Sequence, residues 1–226
     1  MKRSQRKRPA VFLDRDGTIN EEYGYVNHVS RIRLIPGVAR AIRRLNEAGV
    51  PVIVVSNQAG VAQGYFPEQS VRECNARIEE LLTRQGARVD AIYTCPYHPS
   101  AKVARYRRDS PLRKPRPGML DKAAREHGLD LARSYMAGDR PSDVECAKSR
   151  GLKAILLRTG YGEGEIRWHR AEWKAEPDLI AKTLNQAVTW ILRDLRTHMS
   201  KTAEGEMPQA ELDSRIRRHE DRRVWS

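Results

Sequence analysis

Five short apolar runs punctuate residues 10–160, and a helix-patterned segment fills each of the four gaps between them. The runs are AVFL (10–13), VPVIVV (50–55), VDAIYT (89–94), SYMAG (134–138) and KAILLRTG (153–160). They are short and several are rich in branched residues, which predicts buried strands. In GVARAIRRLNEAG (37–49) the apolar residues fall at 38, 41, 42 and 45, a helical spacing that stops at Gly49. Segments 67–86, 117–128 and 141–151 each open on Pro and close on Gly, the punctuation of helices. Strand alternating with helix predicts an α/β fold, a parallel sheet with helices on both faces. After Gly164 the pattern loosens, and 177–195 predicts one more amphipathic helix. The chain therefore divides into a basic flexible tail (1–9), a folded domain (10–195) and a charged C-terminal tail (196–226).

The net charge of +13 is concentrated rather than spread. Residues 1–9 hold five Lys/Arg and no acid, and residues 101–116 hold seven against the single Asp109. One tail and one loop thus carry +5 and +6 of the +13. A nucleic-acid binder spreads its cations over a face, so nucleic acid is not the expected partner. The tail reads as a solvated end, and the loop's excess points to an anionic ligand. Cys74, Cys95 and Cys146 are widely spaced, which argues against a disulfide scaffold and for a reducing compartment. No apolar run approaches the ~20 residues that span a bilayer. Asp14 interrupts the apolar stretch that a signal peptide needs, so a cytoplasmic protein is expected.

In open parallel sheets ligands bind beyond the carboxyl ends of the strands. After the first run come Asp14, Arg15, Asp16, Gly17 and Thr18; after the second, Ser56, Asn57 and Gln58; after the fourth, Asp139 and Asp143. One such Asp would serve as a helix cap. Several converging on one edge call for another reason. Asp14, Asp16 and Asp139 together suit a hard cation held through oxygen, with Mg²⁺ the default. Such a metal usually shares a phosphate, which Arg113 and Lys114 can neutralise and to which Ser56 and Asn57 can donate hydrogen bonds. The set fits phosphoryl transfer.

LDRDGT (13–18), behind its apolar run, resembles the DxDGT nucleophile motif of the haloacid dehalogenase (HAD) superfamily. Ser56, Lys114 and GDRPSD (138–143) are similar to that superfamily's other three motifs, in order. GYV (24–26), VVSNQAGVAQGYF (54–66), CPYHP (95–99) and RKPRPGM (113–119) narrow the likeness to its small capless phosphatases, over roughly residues 11–160. The resemblance implies a Rossmann-like HAD fold without a large cap domain. It implies that Asp14 is the nucleophile, that Asp16 is the general acid and then base, and that Ser56 and Lys114 complete the catalytic set. Mg²⁺ would be held by Asp14, the Asp16 carbonyl and Asp139, with Asp143 in support. Substrate would meet Glu22, Tyr23, Gly24, Tyr25, Ser56, Asn57, Gln58, Arg113, Lys114 and Arg140. The implied substrate is a phosphorylated sugar, foremost the 7-phosphate of D-glycero-D-manno-heptose 1,7-bisphosphate. The alternatives are histidinol phosphate and a nucleic-acid 3′-phosphate. A monomer is expected.

Relatives in this group carry a zinc in the loop before RKP, held by a Cys, a His two residues later and a Cys-x-Cys. Here only Cys95 is in place. Position 97 is Tyr, His98 is displaced by one, and the last slot reads Ser110, Pro111 and Leu112. No structural zinc is expected. Whether Arg105, Arg107 and Arg108 order the loop instead, or grip a second phosphate, stays open at this level.

Overall fold

The computed structural model describes residues 7–205, with side chains through Thr197. Six strands form: β1 (Val11–Leu13), β2 (Val52–Asn57), β3 (Ala91–Cys95), β4 (Tyr135–Gly138), β5 (Lys153–Leu157) and β6 (Leu179–Ala181). All are parallel, in one sheet of order β3-β2-β1-β4-β5-β6. Between them run α1 (Val38–Glu47), a short α2 (Ala59–Ala62), α3 (Glu68–Thr83), α4 (Gly118–His127), α5 (Pro141–Lys148) and the brief α6 (Gly162–Gly164). Helix α7 (Leu184–Gly205) follows β6. The chain divides into a unit Met1–Val188, which holds the sheet, and a unit Thr189–Ser226, whose described part continues α7.

Strand residues alternate between the two sheet faces. Phe12, Ile53, Val55, Met136 and Leu156 are buried in one cluster with Met119, Leu120 and Ala123 of α4 and Val144 and Ala147 of α5. Their neighbours of opposite parity, Val11, Leu13, Val52 and Val54, are equally buried, so the other face is covered too. β1 pairs with β2 on one side and β4 on the other. The chain winds outward from β1 to β3 and then crosses back to β4. The strand order therefore reverses beside β1, where a crevice opens at the carboxyl ends.

Three readings of the sequence change. The segment 177–195 is not one helix: Leu179–Ala181 forms β6 along β5, and the helix begins at Leu184 and runs past position 195 to Gly205. Within the basic N-terminal segment, Arg8 is tied into the fold, its N–H donating to Gly128 O and its carbonyl accepting from Asp130 N. Residues 1–6 and 206–226 of the expected tails lie outside the described residues. Finally, β2 extends to Asn57, so Ser56 and Asn57 stand on a strand rather than after one.

Candidate active site

The carboxyl ends of β1 to β5 and the loops beyond them deliver the site. A cleft of about 550 Å³ is lined by Asp14 and Asp16 past β1, Ser56 to Gly60 at β2, Arg113 to Pro115 ahead of α4, and Arg140, Ser142 and Asp143 past β4. Glu22, Gly24, Tyr25 and Tyr161 complete the wall. Asp139 is buried beneath it. One oxygen from each of Asp14, Asp139 and Asp143 lies within 4.8 Å of the others.

Lys114 is the cation among these acids. Its buried Nζ lies 2.8 Å from Asp14 Oδ1 and 2.7 Å from Asp143 Oδ1, and it donates to Val55 O at 2.8 Å. Burial would lower its pKa, but Asp14 and Asp143 raise it, so it stays charged. Three carboxylates facing one ammonium remain under-neutralised. Burial, helped by the charges of Asp143 and Asp16 and opposed by Lys114, pushes Asp14 up to about 7. Burial and the charges of Asp14 and Asp143 push Asp139 up to about 8. Asp143 Oδ1 is buried and meets only the Lys114 ammonium, at 2.7 Å, with poor hydrogen-bond alignment. Crowded, desolvated carboxylate oxygens of this kind suit a divalent cation of the Mg²⁺ type.

Asp16 sits in the opposite electrostatic environment. Burial would raise its pKa, but Arg15, Asn20 and Gln58 hold it below the usual range. Arg15 is fully buried and grips Asp16 with Nε to Oδ1 at 3.0 Å and Nη2 to Oδ2 at 2.8 Å. Asn20 Nδ2 and Gln58 Nε2 add one bond each at 2.9 Å. Asp14 and Asp16, two residues apart, are thus driven to opposite pKa values.

Of the residues expected at substrate, Glu22, Gly24, Tyr25, Arg113 and Arg140 line the cleft. Burial and the nearby Asp16 raise the Glu22 pKa, and burial lowers that of Arg113. Arg140 lies 3.7 Å over the Tyr161 ring and 3.7 Å from Glu165. Tyr23 faces an adjoining hollow instead and donates to Glu21. Asn57 and Gln58 are largely turned inward. The Asn57 amide pairs with the Lys114 backbone in both directions, at 2.9 and 3.0 Å. Gln58 Nε2 donates to Asp16 and to Ser56 Oγ.

Sequence reasoning missed the contribution of β5. The loop after β5 brings Gly160 against Gly17, both with positive φ (+54° and +77°). A Cβ at either would collide with the Asp139 carboxylate, which also accepts from Tyr161 N at 2.8 Å. Thr159 Oγ1 donates to Gly17 O at 2.6 Å. The available signal was the Thr-Gly pair closing the fifth apolar run.

Comparison with known proteins follows the same lines. Residues 14–148 match the polynucleotide kinase 3 phosphatase family model, and 111–187 the HAD-hydrolase-like model. The chain is 43% identical over 192 residues to the D-glycero-D-manno-heptose-1,7-bisphosphate 7-phosphatase of Thermosynechococcus vestitus, covering 83% of this chain and 97% of that protein. It resembles the crystal structure of D,D-heptose 1,7-bisphosphate phosphatase from B. bronchiseptica, complexed with magnesium and phosphate. There the TM-score is 0.71 and the identity 29%, over 82% of this chain and 99% of the other. A HAD-like phosphatase structure from Mesorhizobium loti matches at TM-score 0.66 and 41% identity, covering 68% and 74%. By fold, by motif order and by relatives spanned almost end to end, this chain belongs to the haloacid dehalogenase-like phosphatases, in the family of the heptose bisphosphate 7-phosphatases.

Proposed function

We propose that the chain hydrolyses the 7-phosphate of D-glycero-D-manno-heptose 1,7-bisphosphate and needs Mg²⁺ to do so. The observation that carries this reading is the Asp14–Asp139–Asp143 cluster around buried Lys114, in a chain matching 97% of a curated heptose bisphosphate 7-phosphatase. When bound, Mg²⁺ would be held by Asp14, the Asp16 carbonyl and Asp139, with Asp143 in support, and would neutralise the phosphoryl oxygens.

The chain's own residues perform the remaining steps. Lys114 holds Asp14 and draws the phosphoryl group toward it. Asp14 attacks phosphorus, the bond from phosphorus to the sugar oxygen breaks, and an aspartyl-phosphate forms. Asp16 protonates the leaving oxygen, then takes a proton from the water that releases phosphate. Its present contacts favour the carboxylate, the form that activates water. An incoming phosphoryl charge raises its pKa toward the acid form. Ser56 Oγ already accepts from Gln58, so its own proton is free for a phosphoryl oxygen. Arg113 and Arg140 supply cations at the cleft mouth for the rest of an anionic substrate.

The match to the polynucleotide kinase 3 phosphatase model favours a second reading, a nucleic-acid 3′-phosphatase. Phosphate release across heptose bisphosphate, histidinol phosphate and a 3′-phosphorylated oligonucleotide separates the two. The heptose is expected to give the highest kcat/KM, with turnover lost on chelation of Mg²⁺. Faster turnover of the oligonucleotide would overturn the sugar reading.

A further inference from the structure

The loop between β3 and α4 does not fit a zinc ion. Cys95 is buried, with its Sγ 4.0 Å from Tyr97 O. His98 Nδ1 is already occupied by Ser100 N–H at 3.1 Å. Among the described residues, neither belongs to a cluster of acids, Cys and His close enough to share an ion. Two scattered donors fall short of the four a structural zinc takes.

The loop has another fastening. The Arg108 guanidinium lies 3.5 Å from the Tyr97 ring centroid. Tyr97 and Tyr106 have ring centroids 6.0 Å apart, and Arg105 lies 4.7 Å over Tyr106. These contacts form one chain, cation to ring to ring to cation. Arg107 adds a tie, its Nε donating to Ala101 O at 2.7 Å. His98 N donates to Tyr106 O at 3.2 Å across the loop's base. Tyr97 packs against both the sheet core and a smaller cluster of Val61, Ala62, Phe66, Val71, Ala101 and Tyr106. None of Arg105, Arg107 or Arg108 lines the cleft. The link to the cleft is Arg113, whose Nη1 donates to Tyr97 O at 3.5 Å.

We propose that this arginine–tyrosine stack, centred on Tyr97, closes the loop in place of a metal and fixes Arg113 at the cleft mouth. Tyr97 and Arg108 are thus positioning residues. The closure stands on geometry alone, while the consequence for substrate rests on the phosphatase reading of the cleft.

The test is amide hydrogen exchange over residues 96–112 in the full chain, with zinc content measured in parallel. Wild type should hold sub-stoichiometric zinc, and a zinc-selective chelator should leave its exchange unchanged. Arg108→Ala should speed exchange about two- to fivefold, the factor that an exposed cation–π contact supplies. Its KM for a phosphorylated sugar should rise similarly with kcat nearly constant, and Arg108→Lys should recover part of both. Near-stoichiometric zinc, or chelator-accelerated exchange, would overturn the proposal. So would a raised KM in Arg108→Ala without faster exchange, which would place the arginine on substrate. Tyr97→Leu is the harsher variant; Arg108 is exposed, so its replacement tests the stack without threatening the core. If wild type releases no phosphate from sugars, the functional reading falls while the exchange result still decides the stack.

Discussion

Lys114 shows how one side chain sets the terms for its neighbours. It touches both Asp14 and Asp143 from a site almost fully shielded from solvent, yet cannot balance three acids. The protein therefore stores an electrostatic cost at Asp14, which is held near 7. Asp14→Asn removes both the proposed nucleophile and that cost. The expected outcome is loss of turnover together with a Tm raised by about 2–8 °C at pH 8 without metal. Phosphate-release assays and a thermal melt check the two halves; an unchanged turnover would move the nucleophile elsewhere. The acids and Lys114 were legible because each follows a strand or a motif position. What Arg15, Asn57 and Gln58 do was not. Arg15 occupies the free position between two aspartates, and nothing in its spacing tells that its side chain turns inward to hold Asp16. Asn57 and Gln58 read as substrate ligands, but their amides are largely engaged with Lys114, Asp16 and Ser56.

Among the elements, the loops after β1 and β5 meet where only glycine fits. Gly17 and Gly160 both take left-handed backbone, and a methyl at either would strike Asp139. Gly160→Ala should therefore combine backbone strain with displacement of Asp139, a proposed metal ligand. We expect destabilisation of about 1–3 kcal/mol and a weakened response to Mg²⁺. Denaturant melts with and without the ion measure both, and wild-type behaviour would deny the close approach its importance. The first five strands and the four longer helices joining them were legible from alternation and from Pro and Gly punctuation, while the single turn α2 was not. β6 was not: three residues pairing with a single neighbour carry too little pattern, and the amphipathic helix behind them absorbs them in a reading by periodicity.

For the molecule as a whole, the acid cluster ties stability to pH. Asp14 and Asp139 have folded pKa values of about 7 and about 8, above those of an unfolded chain near ~3.9. The folded state then binds more protons than the unfolded state between about pH 4 and 8. Stability from this source is present at the acid end and is lost as pH rises through that window. Metal-free protein should thus melt lower at pH 8 than at pH 6, and Mg²⁺ should raise Tm more at pH 8. Calorimetry at both values checks this, and an equal Mg²⁺ effect at each would remove the cluster as the cause. Another consequence lies in the pairing of β1. Residue 11 sits beside residue 52 on one side and residue 135 on the other, and the cover over Asp139 is complete only once residues 160 and 161 join Gly17 against it. During synthesis Asp14 and Asp16 leave the ribosome early, yet the pocket that gives them chemistry must wait for another 140 or so residues. An interrupted chain that stops before Gly160 carries the proposed nucleophile but no complete site, so hydrolytic power arrives only with the nearly finished domain.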